Sequence, residues 1–237
     1  STDPDFVADD ESPMVETVVK RWPYYLSKIY AERVCLRYVR EHDLPIVIMR
    51  LTLLLGPGDR RESSTGDVVL FLKHKVPTLM SGGLSFVDVR DAASAFMAAM
   101  ERGQVGETYL LGSTNCTLAE FFAILEDLTG IKAPWLPMPD EAAVASARLL
   151  SSALKLLGKS SELDPTTVEM ATHYWYIDWS KAERELGFAP RDPVKTLRDT
   201  VRWIENHHPD FAGSRRRVNT DYVSPETVEY ARELRDS

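Results

Sequence analysis

The stretch LPIVIMRLTLLLGPGD, residues 44–59, decides the fold class of this protein. Residues 44–55 are almost all apolar, and a Gly-Pro-Gly turn ends the run. A nearly continuous apolar run that turn residues close is typical of a strand buried on both faces of a parallel sheet. We therefore predict one such strand, which ends at the turn.

A helix is predicted directly before this strand. Residues 24–42 contain neither Pro nor Gly, and their apolar side chains recur at helical rather than alternate spacing: Leu26, Ile29, Val34, Cys35, Leu36 and Val39. The short link 43–45 joins the helix to the strand. A helix that leads into a buried strand is one arm of a βαβ unit, so the sequence predicts an α/β fold.

A strand and a helix are predicted again downstream. Residues 84–89 alternate between apolar and polar side chains like a short strand. Asp91 is placed to cap the N-terminus of an alanine-rich helix over residues 92–102, which Gly103 ends. Residues 108–111 form a further predicted strand.

Helices dominate the rest of the predicted structure. The capping box of Thr117 and Glu120 opens a helix that Gly130 stops. Three more follow: an apolar helix over 142–157, one from the capping box Ser180-x-x-Glu183 to Gly187, and one from Asp192 to about Asn206. We interpret the apolar helix as core packing or a lid over a substrate rather than as a membrane contact.

This order of elements predicts two structural parts and a tail. Residues 1–57 and 86–130 are assigned to the remaining part of a Rossmann-like domain. Residues 58–85 and 131–206 are assigned to a smaller, mostly helical substrate lobe. Residues 207–237 are expected to form a mobile tail with one short helix near Ser224.

Composition excludes several classes of protein. The 237 residues are 44% hydrophobic and 27% charged, which is typical of a globular chain. With 28 Lys and Arg against 36 Asp and Glu the net charge is −8, so we expect no nucleic-acid partner. No apolar run is long enough for a membrane span, and the first residues do not resemble a signal peptide. We therefore expect a cytoplasmic protein with no membrane partner.

The two cysteines predict neither a metal site nor a disulfide framework. Cys35 and Cys116 form no C-x-x-C motif, and no His stands near them at metal-ligand spacing. The pair His207-His208 stands at a predicted helix end, where a cation suits the helix dipole. No metal is therefore expected.

Tyr24 and Lys28 are the candidate catalytic residues. They stand four positions apart in the first helix, so they lie one turn apart on one face. A nearby ammonium favours the ionised form of a phenol and brings its pKa closer to working pH, as an acid–base group requires. The pair alone is weak evidence, because an exposed Tyr-Lys pair also arises by chance on an amphipathic helix.

The context of this pair strengthens its interpretation. The segment PYYLSK at 23–28, RLTLLLGPGD at 50–59, FVDVRDAA at 86–93, GETYLLG at 106–112 and the motif ending in ELGF at 185–188 follow one another in order. Together they resemble the extended short-chain dehydrogenase/reductase superfamily. They are most similar to the dihydroflavonol-reductase-like branch of its NAD(P)-dependent epimerases, dehydratases and reductases.

The resemblance implies a role for four residues. Tyr24 would exchange a proton with the substrate oxygen, and Lys28 would lower the pKa of Tyr24 and bind the nicotinamide ribose of NAD or NADP. Leu51 and Thr52 would lie against the nicotinamide, although the family usually has Pro where Leu51 stands. The resemblance further implies a small-molecule substrate and a homodimer formed through the helix that carries Tyr24.

A glycine-rich dinucleotide turn is missing from the sequence. Such a turn follows a strand and opens a helix, so that the backbone can approach the pyrophosphate. Neither Gly82-Gly83 nor the turn at 56–58 has that pattern. We therefore expect a chain without the family's N-terminal nucleotide-binding half: the C-terminal part of a Rossmann-type parallel sheet, with a smaller helical substrate lobe and half of a cofactor site.

Two functions remain open at this stage. The first is an NAD(P)-dependent oxidoreductase or epimerase that reduces a ketone or aldehyde or epimerises a sugar nucleotide. The second is a non-catalytic binding or scaffold protein derived from the same family. His173, which lies among aromatic residues, is assigned to packing rather than to ligand contact.

Overall fold

The computed structural model describes residues 1–135, 138–156 and 165–211. The predicted helix near Ser224 and most of the predicted tail, residues 212–237, lie outside the described residues. None of the helices in the described part combines the length and apolar character that crossing a bilayer requires. No group of potential metal ligands occurs among these residues.

The described residues form five strands, all between residues 48 and 117, and nine helices. The strands are β1 (Ile48–Leu51), β2 (Leu53–Leu55), β3 (Gly83–Asp88), β4 (Thr108–Leu111) and β5 (Thr114–Thr117). The helices are α1 (Glu16–Val19), α2 (Pro23–His42), α3 (Gly66–Leu72), α4 (Val89–Arg102), α5 (Leu118–Thr129), α6 (Asp140–Leu156), α7 (Pro165–Met170), α8 (Ser180–Leu186) and α9 (Pro193–His207). The predicted α/β fold class is confirmed.

The strands form two short sheets with mostly parallel pairing. β1 runs parallel to β4, with Ile48 opposite Thr108. β2 runs parallel to β3, and β5 closes the second sheet antiparallel to β3, with Gly83 opposite Thr117. Sequence reasoning missed β5, α1, α3 and α7, which are short elements.

The predicted single strand over residues 44–55 is in fact two strands. Thr52 separates them: its backbone N–H and its hydroxyl both donate to the carbonyl of Leu111, at 3.2 and 3.0 Å. β1 therefore pairs with β4, whereas β2 pairs with β3. The predicted burial on both faces is incomplete in β1, because its last residue, Leu51, is 37% exposed.

Helices cover both faces of the strands. Phe86 belongs to a cluster with residues of α3, α5 and α9, whereas Val87 packs in a second cluster with residues of α4 and α8. Successive residues of a strand point to opposite faces, so these clusters lie on opposite sides. In the first cluster α3, which belongs to the segment 58–85 of the predicted substrate lobe, packs against elements of the predicted Rossmann-like domain. The predicted division into these two domains stays a prediction.

Two predicted helix caps are wrong and two are confirmed. Asp88 rather than Asp91 caps α4, because the strand runs directly into the helix and the Asp88 carboxylate accepts the N–H of Arg90 at 2.8 Å. Ser180 does not cap α8 from a capping box; its hydroxyl donates to Asp178 at 3.0 Å. The capping box at Thr117 and the cap at Asp192 are formed as predicted.

A buried ionic network ties α4 to the start of α9. Arg90 bridges the fully buried Asp88, at 2.6 Å, and Asp199, at 2.7 Å. Arg191 forms a bidentate pair with Asp91. Burial would raise the pKa of Asp88, but its hydrogen bonds with Arg90 lower it below its usual value. Asp91, the residue predicted to cap α4, thus connects α4 to the segment directly before α9.

Gly82 and Gly83 hold the segment after α7 against the start of β3. The N–H of Gly82 donates to Ala171 at 3.0 Å, and the N–H of Gly83 donates to His173 at 3.1 Å. A Cβ at Gly82 would lie 2.4 Å from the Ala171 carbonyl oxygen. Gly82 is therefore required for a close approach of two backbones, whereas a Cβ at Gly83 would meet the Tyr176 ring.

Candidate active site

The N-terminal turn of α2 carries the two candidate catalytic residues. Pro23 occupies the first turn, where its missing N–H costs no helical hydrogen bond. The ammonium of Lys28 lies 5.1 Å from the centroid of the Tyr24 ring. The structure thus brings both side chains to one face of α2, as predicted, with the cation over the ring.

Tyr24 is open to solvent. Its side chain is 65% exposed, and Lys28 is exposed as well. The Tyr24 ring makes an edge contact with Tyr25 at a centroid distance of 5.3 Å, which supports it from one side. A small molecule can therefore reach the phenol without displacement of the helix.

Leu51 and Thr52 lie where β1 gives way to β2. Leu51, the last residue of β1, presents an apolar side chain at the surface. The Thr52 hydroxyl is engaged with the carbonyl of Leu111, so it is a structural donor in this arrangement. The side chain of Leu51 thus provides an exposed apolar surface at the end of β1. The contact of Leu51 and Thr52 with a nicotinamide stays a prediction.

An ion pair joins the two halves of the candidate site. Arg50 donates twice to Glu32, with nitrogen–oxygen distances of 2.6 and 3.1 Å, and both side chains are largely buried. Glu32 lies one turn after Lys28, and Arg50 directly precedes Leu51. This bidentate pair orients α2 relative to β1. Sequence reasoning assigned it no role, although both residues lie within or beside quoted motifs.

The N-terminal segment adds a carboxylate to this surface. Asp10 accepts the backbone N–H of Leu110 at 2.9 Å, and Leu110 lies opposite Arg50 in the pairing of β1 with β4. Burial raises the pKa of Asp10, and the positive charges of Lys181 and Arg50 offset part of that rise. Asp10 therefore ties residues before α1 to the strand that neighbours β1.

An aromatic cluster lies behind the start of α2. Trp22 is buried and contacts Tyr25, His173 and Trp175, with ring centroids 5.9 to 6.1 Å apart. His173 stacks on Trp175 at 5.7 Å, so its assignment to aromatic packing agrees with these contacts. These ring contacts hold the residue before α2, Trp22, against the segment that follows α7.

A surface cavity of about 440 Å³ opens beside this cluster. Its lining includes Val18, Lys20, Arg21, Trp22, Glu169 and His173. Sequence reasoning missed this cavity because it joins residues that are about 150 positions apart.

The described residues fit one end of a dinucleotide. Tyr24 and Lys28 offer donors, and Leu51 offers an apolar surface. The turn at 56–58 does not offer a pyrophosphate cradle, because the N–H of Gly56 already donates to the Thr200 hydroxyl at 2.8 Å and Pro57 has no N–H. The fit is therefore limited to the nicotinamide half.

Comparisons with known proteins agree with this architecture. The model of the NAD-dependent epimerase/dehydratase family matches residues 2–112. A putative dihydroflavonol 4-reductase of Synechocystis is 33% identical over 189 residues, which cover 78% of this chain and 55% of that protein. The crystal structure of gox2253 matches with a TM-score of 0.70 and 31% identity, and it covers 86% of this chain and 62% of that one.

A more distant structure shares the fold. The dTDP-glucose 4,6-dehydratase DesIV of Streptomyces venezuelae, solved as a double mutant with NAD bound, matches with a TM-score of 0.58 and 22% identity. The match covers 84% of this chain and 55% of DesIV. This likeness concerns the fold only.

The parallel pairing and the helices on both faces define an α/β protein of the Rossmann type. The family-model match over residues 2–112 and these relatives place the chain in the extended short-chain dehydrogenase/reductase superfamily. The resemblance read from the motifs is confirmed. The chain spans about half the length of the curated relatives it matches, 55% and 54% for two of them.

Proposed function

We propose that this protein is an NAD(P)-dependent oxidoreductase or epimerase in which Tyr24 is the acid–base residue. The observation that supports this most directly is the exposed Tyr24 ring with the Lys28 ammonium above it, 5.1 Å from its centroid. An exposed phenol beside a fixed cation can donate a proton to a substrate oxygen or accept one from it. The family of this chain supports the same chemistry.

The remaining candidate residues would bind the cofactor. Lys28 would hold the ribose hydroxyls, and the exposed side chain of Leu51 would pack against the nicotinamide next to Thr52. Bound NAD or NADP supplies the redox chemistry by exchanging hydride with the substrate carbon. The Glu32–Arg50 pair would keep Tyr24 and Leu51 in a constant relative position, since it connects their two elements.

The proposed substrate is a small molecule with a ketone, an aldehyde or a secondary alcohol. The dihydroflavonol reductase relative favours carbonyl reduction, whereas the human dTDP-D-glucose 4,6-dehydratase, 30% identical over 109 residues, favours a sugar nucleotide. A homodimer through α2 belongs to the same proposal, because Tyr30, Val34 and Tyr38 form an exposed apolar stripe at four-residue spacing on that helix. The cytoplasmic location stays a prediction.

A single substitution tests the catalytic role. Tyr24→Phe removes the hydroxyl and keeps the ring, so we expect turnover to fall by about 10²- to 10⁴-fold while NAD or NADP binding stays nearly unchanged. Tyr38→Phe is the matched control, since Tyr38 is an exposed tyrosine of the same helix and the change keeps the ring that it contributes to the apolar stripe. Turnover is followed by nicotinamide absorbance, and an active Tyr24→Phe variant would refute the proposed role.

A further inference from the structure

The cavity beside the start of α2 is separate from the candidate catalytic pair. Neither Tyr24 nor Lys28 lines it; its walls come from the segment after α1 and from the region of α7. Its volume of about 440 Å³ lies within the range of small-molecule sites and exceeds the size of a bare inorganic anion. The cavity can therefore accept an organic ligand.

Positive charge is concentrated around this cavity. Glu169 is 19% exposed, and its two oxygens are each engaged by an arginine: one by Arg21 and the other by Arg148, at 3.1 Å. Lys20 is exposed and makes no ion pair within the described residues. Lys20 and Arg21 thus line the cavity together with the Glu169 carboxylate, which Arg148 also neutralises, in a protein whose net charge is −8. Such a local excess of positive charge attracts an anion.

His173 adds a hydrogen-bonding nitrogen to the cavity. Its Nδ1 lies 3.1 Å from the carbonyl of Glu169 and 3.1 Å from the Thr172 hydroxyl. Its Nε2 makes no hydrogen bond within the part of the chain that the structure describes. The ring contacts with Trp22 and Trp175 fix its orientation. His173 is therefore held in place as a wall of the cavity, and since Nδ1 donates to the Glu169 carbonyl, Nε2 of the neutral ring is a hydrogen-bond acceptor.

We propose that this cavity binds the phosphate or carboxylate group of a small organic molecule. Lys20 and Arg21, which line the cavity, pair with the anionic oxygens. Arginine forks and ammonium groups are the side chains that hold such oxygens most strongly. Glu169 orders the arginines rather than repelling the ligand, because both of its oxygens are already paired. This site does not rest on the catalytic role of Tyr24.

Calorimetric titration with phenyl phosphate, benzoate and inorganic phosphate tests the proposal. We expect phenyl phosphate or benzoate to bind more tightly than inorganic phosphate, because the cavity has room for an organic body. The stronger of the two organic probes identifies the anionic group. Quenching of tryptophan fluorescence offers a second readout, since Trp22 lines the cavity.

Two lysine variants decide whether binding occurs at this site. We expect Lys20→Met to weaken binding at least about tenfold, which is the usual effect of a lost hydrogen bond to a charged group. Lys195→Met, a matched change of an exposed lysine on α9, should have no effect. Thermal unfolding would verify that both variants fold. Absence of binding by the unaltered protein, or equal affinities of the two variants, would overturn the proposal.

Discussion

At the scale of single residues, one carboxylate organises the loop that follows β2. Asp59 accepts the N–H groups of Arg61, Ser64 and Thr65 at 3.2, 2.9 and 3.1 Å. Burial acts to raise the pKa of Asp59, but these backbone hydrogen bonds outweigh it and lower the pKa from 3.8 to about 2. The folded loop therefore favours the ionised carboxylate.

This shift predicts an acid-dependent stability. Because the pKa in the folded state lies below the unfolded value, ionised Asp59 stabilises the fold above about pH 4, and this contribution is lost as the pH falls toward 2. With allowance for solvent screening, we expect Asp59→Asn to lower the free energy of unfolding by about 1 kcal/mol at pH 7. Urea unfolding from pH 7 to pH 2 measures this effect.

Asp5→Asn is the control for this experiment. Asp5 is exposed, and its carboxylate makes no hydrogen bond within the described ranges. The destabilisation by Asp59→Asn should shrink toward pH 2, whereas Asp5→Asn should show little effect at any pH. A destabilisation of equal size at both ends of the range would show that ionisation of Asp59 is irrelevant.

At the scale of elements, a close backbone contact fastens the segment after α7 to β3. Gly82→Ala would place a Cβ 2.4 Å from the carbonyl oxygen of Ala171, which is backbone and cannot move aside alone. We expect a loss of about 1–3 kcal/mol in the free energy of unfolding, as for other overpacked sites. Gly66→Ala is the control, because no atom lies within 4 Å of its added Cβ. Similar stabilities of the two variants would contradict this role.

Local signals predicted helix ends well where one cap residue stood alone. The capping box at Thr117, Gly130 and Asp192 each occupy the predicted position. The prediction failed at α4 because Asp88 and Asp91 are both acidic and lie three positions apart. The choice between them depends on where β3 stops pairing, and this register is set by β2 and β5.

At the scale of the whole molecule, cofactor binding distinguishes the enzyme from a scaffold. Since Lys28 and Leu51 would hold the nicotinamide half, we expect calorimetry to detect binding of NAD or NADP by this chain. Lys28→Met should weaken that binding by about tenfold, and Lys195→Met should leave it unchanged. If neither dinucleotide binds, the cofactor proposal fails and the scaffold alternative is favoured.

The amino-acid sequence by itself determined the α/β class, the helix that carries Tyr24 and Lys28, and most helix ends, because each depends on spacing or capping over a few neighbouring residues. Only the tertiary structure decided the division of β1 from β2, the Glu32–Arg50 link and the cavity between Lys20 and Glu169. These features join residues distant in sequence. These features are stabilised by packing and by ion pairs between distant residues, and the local periodicity of the sequence does not predict such contacts.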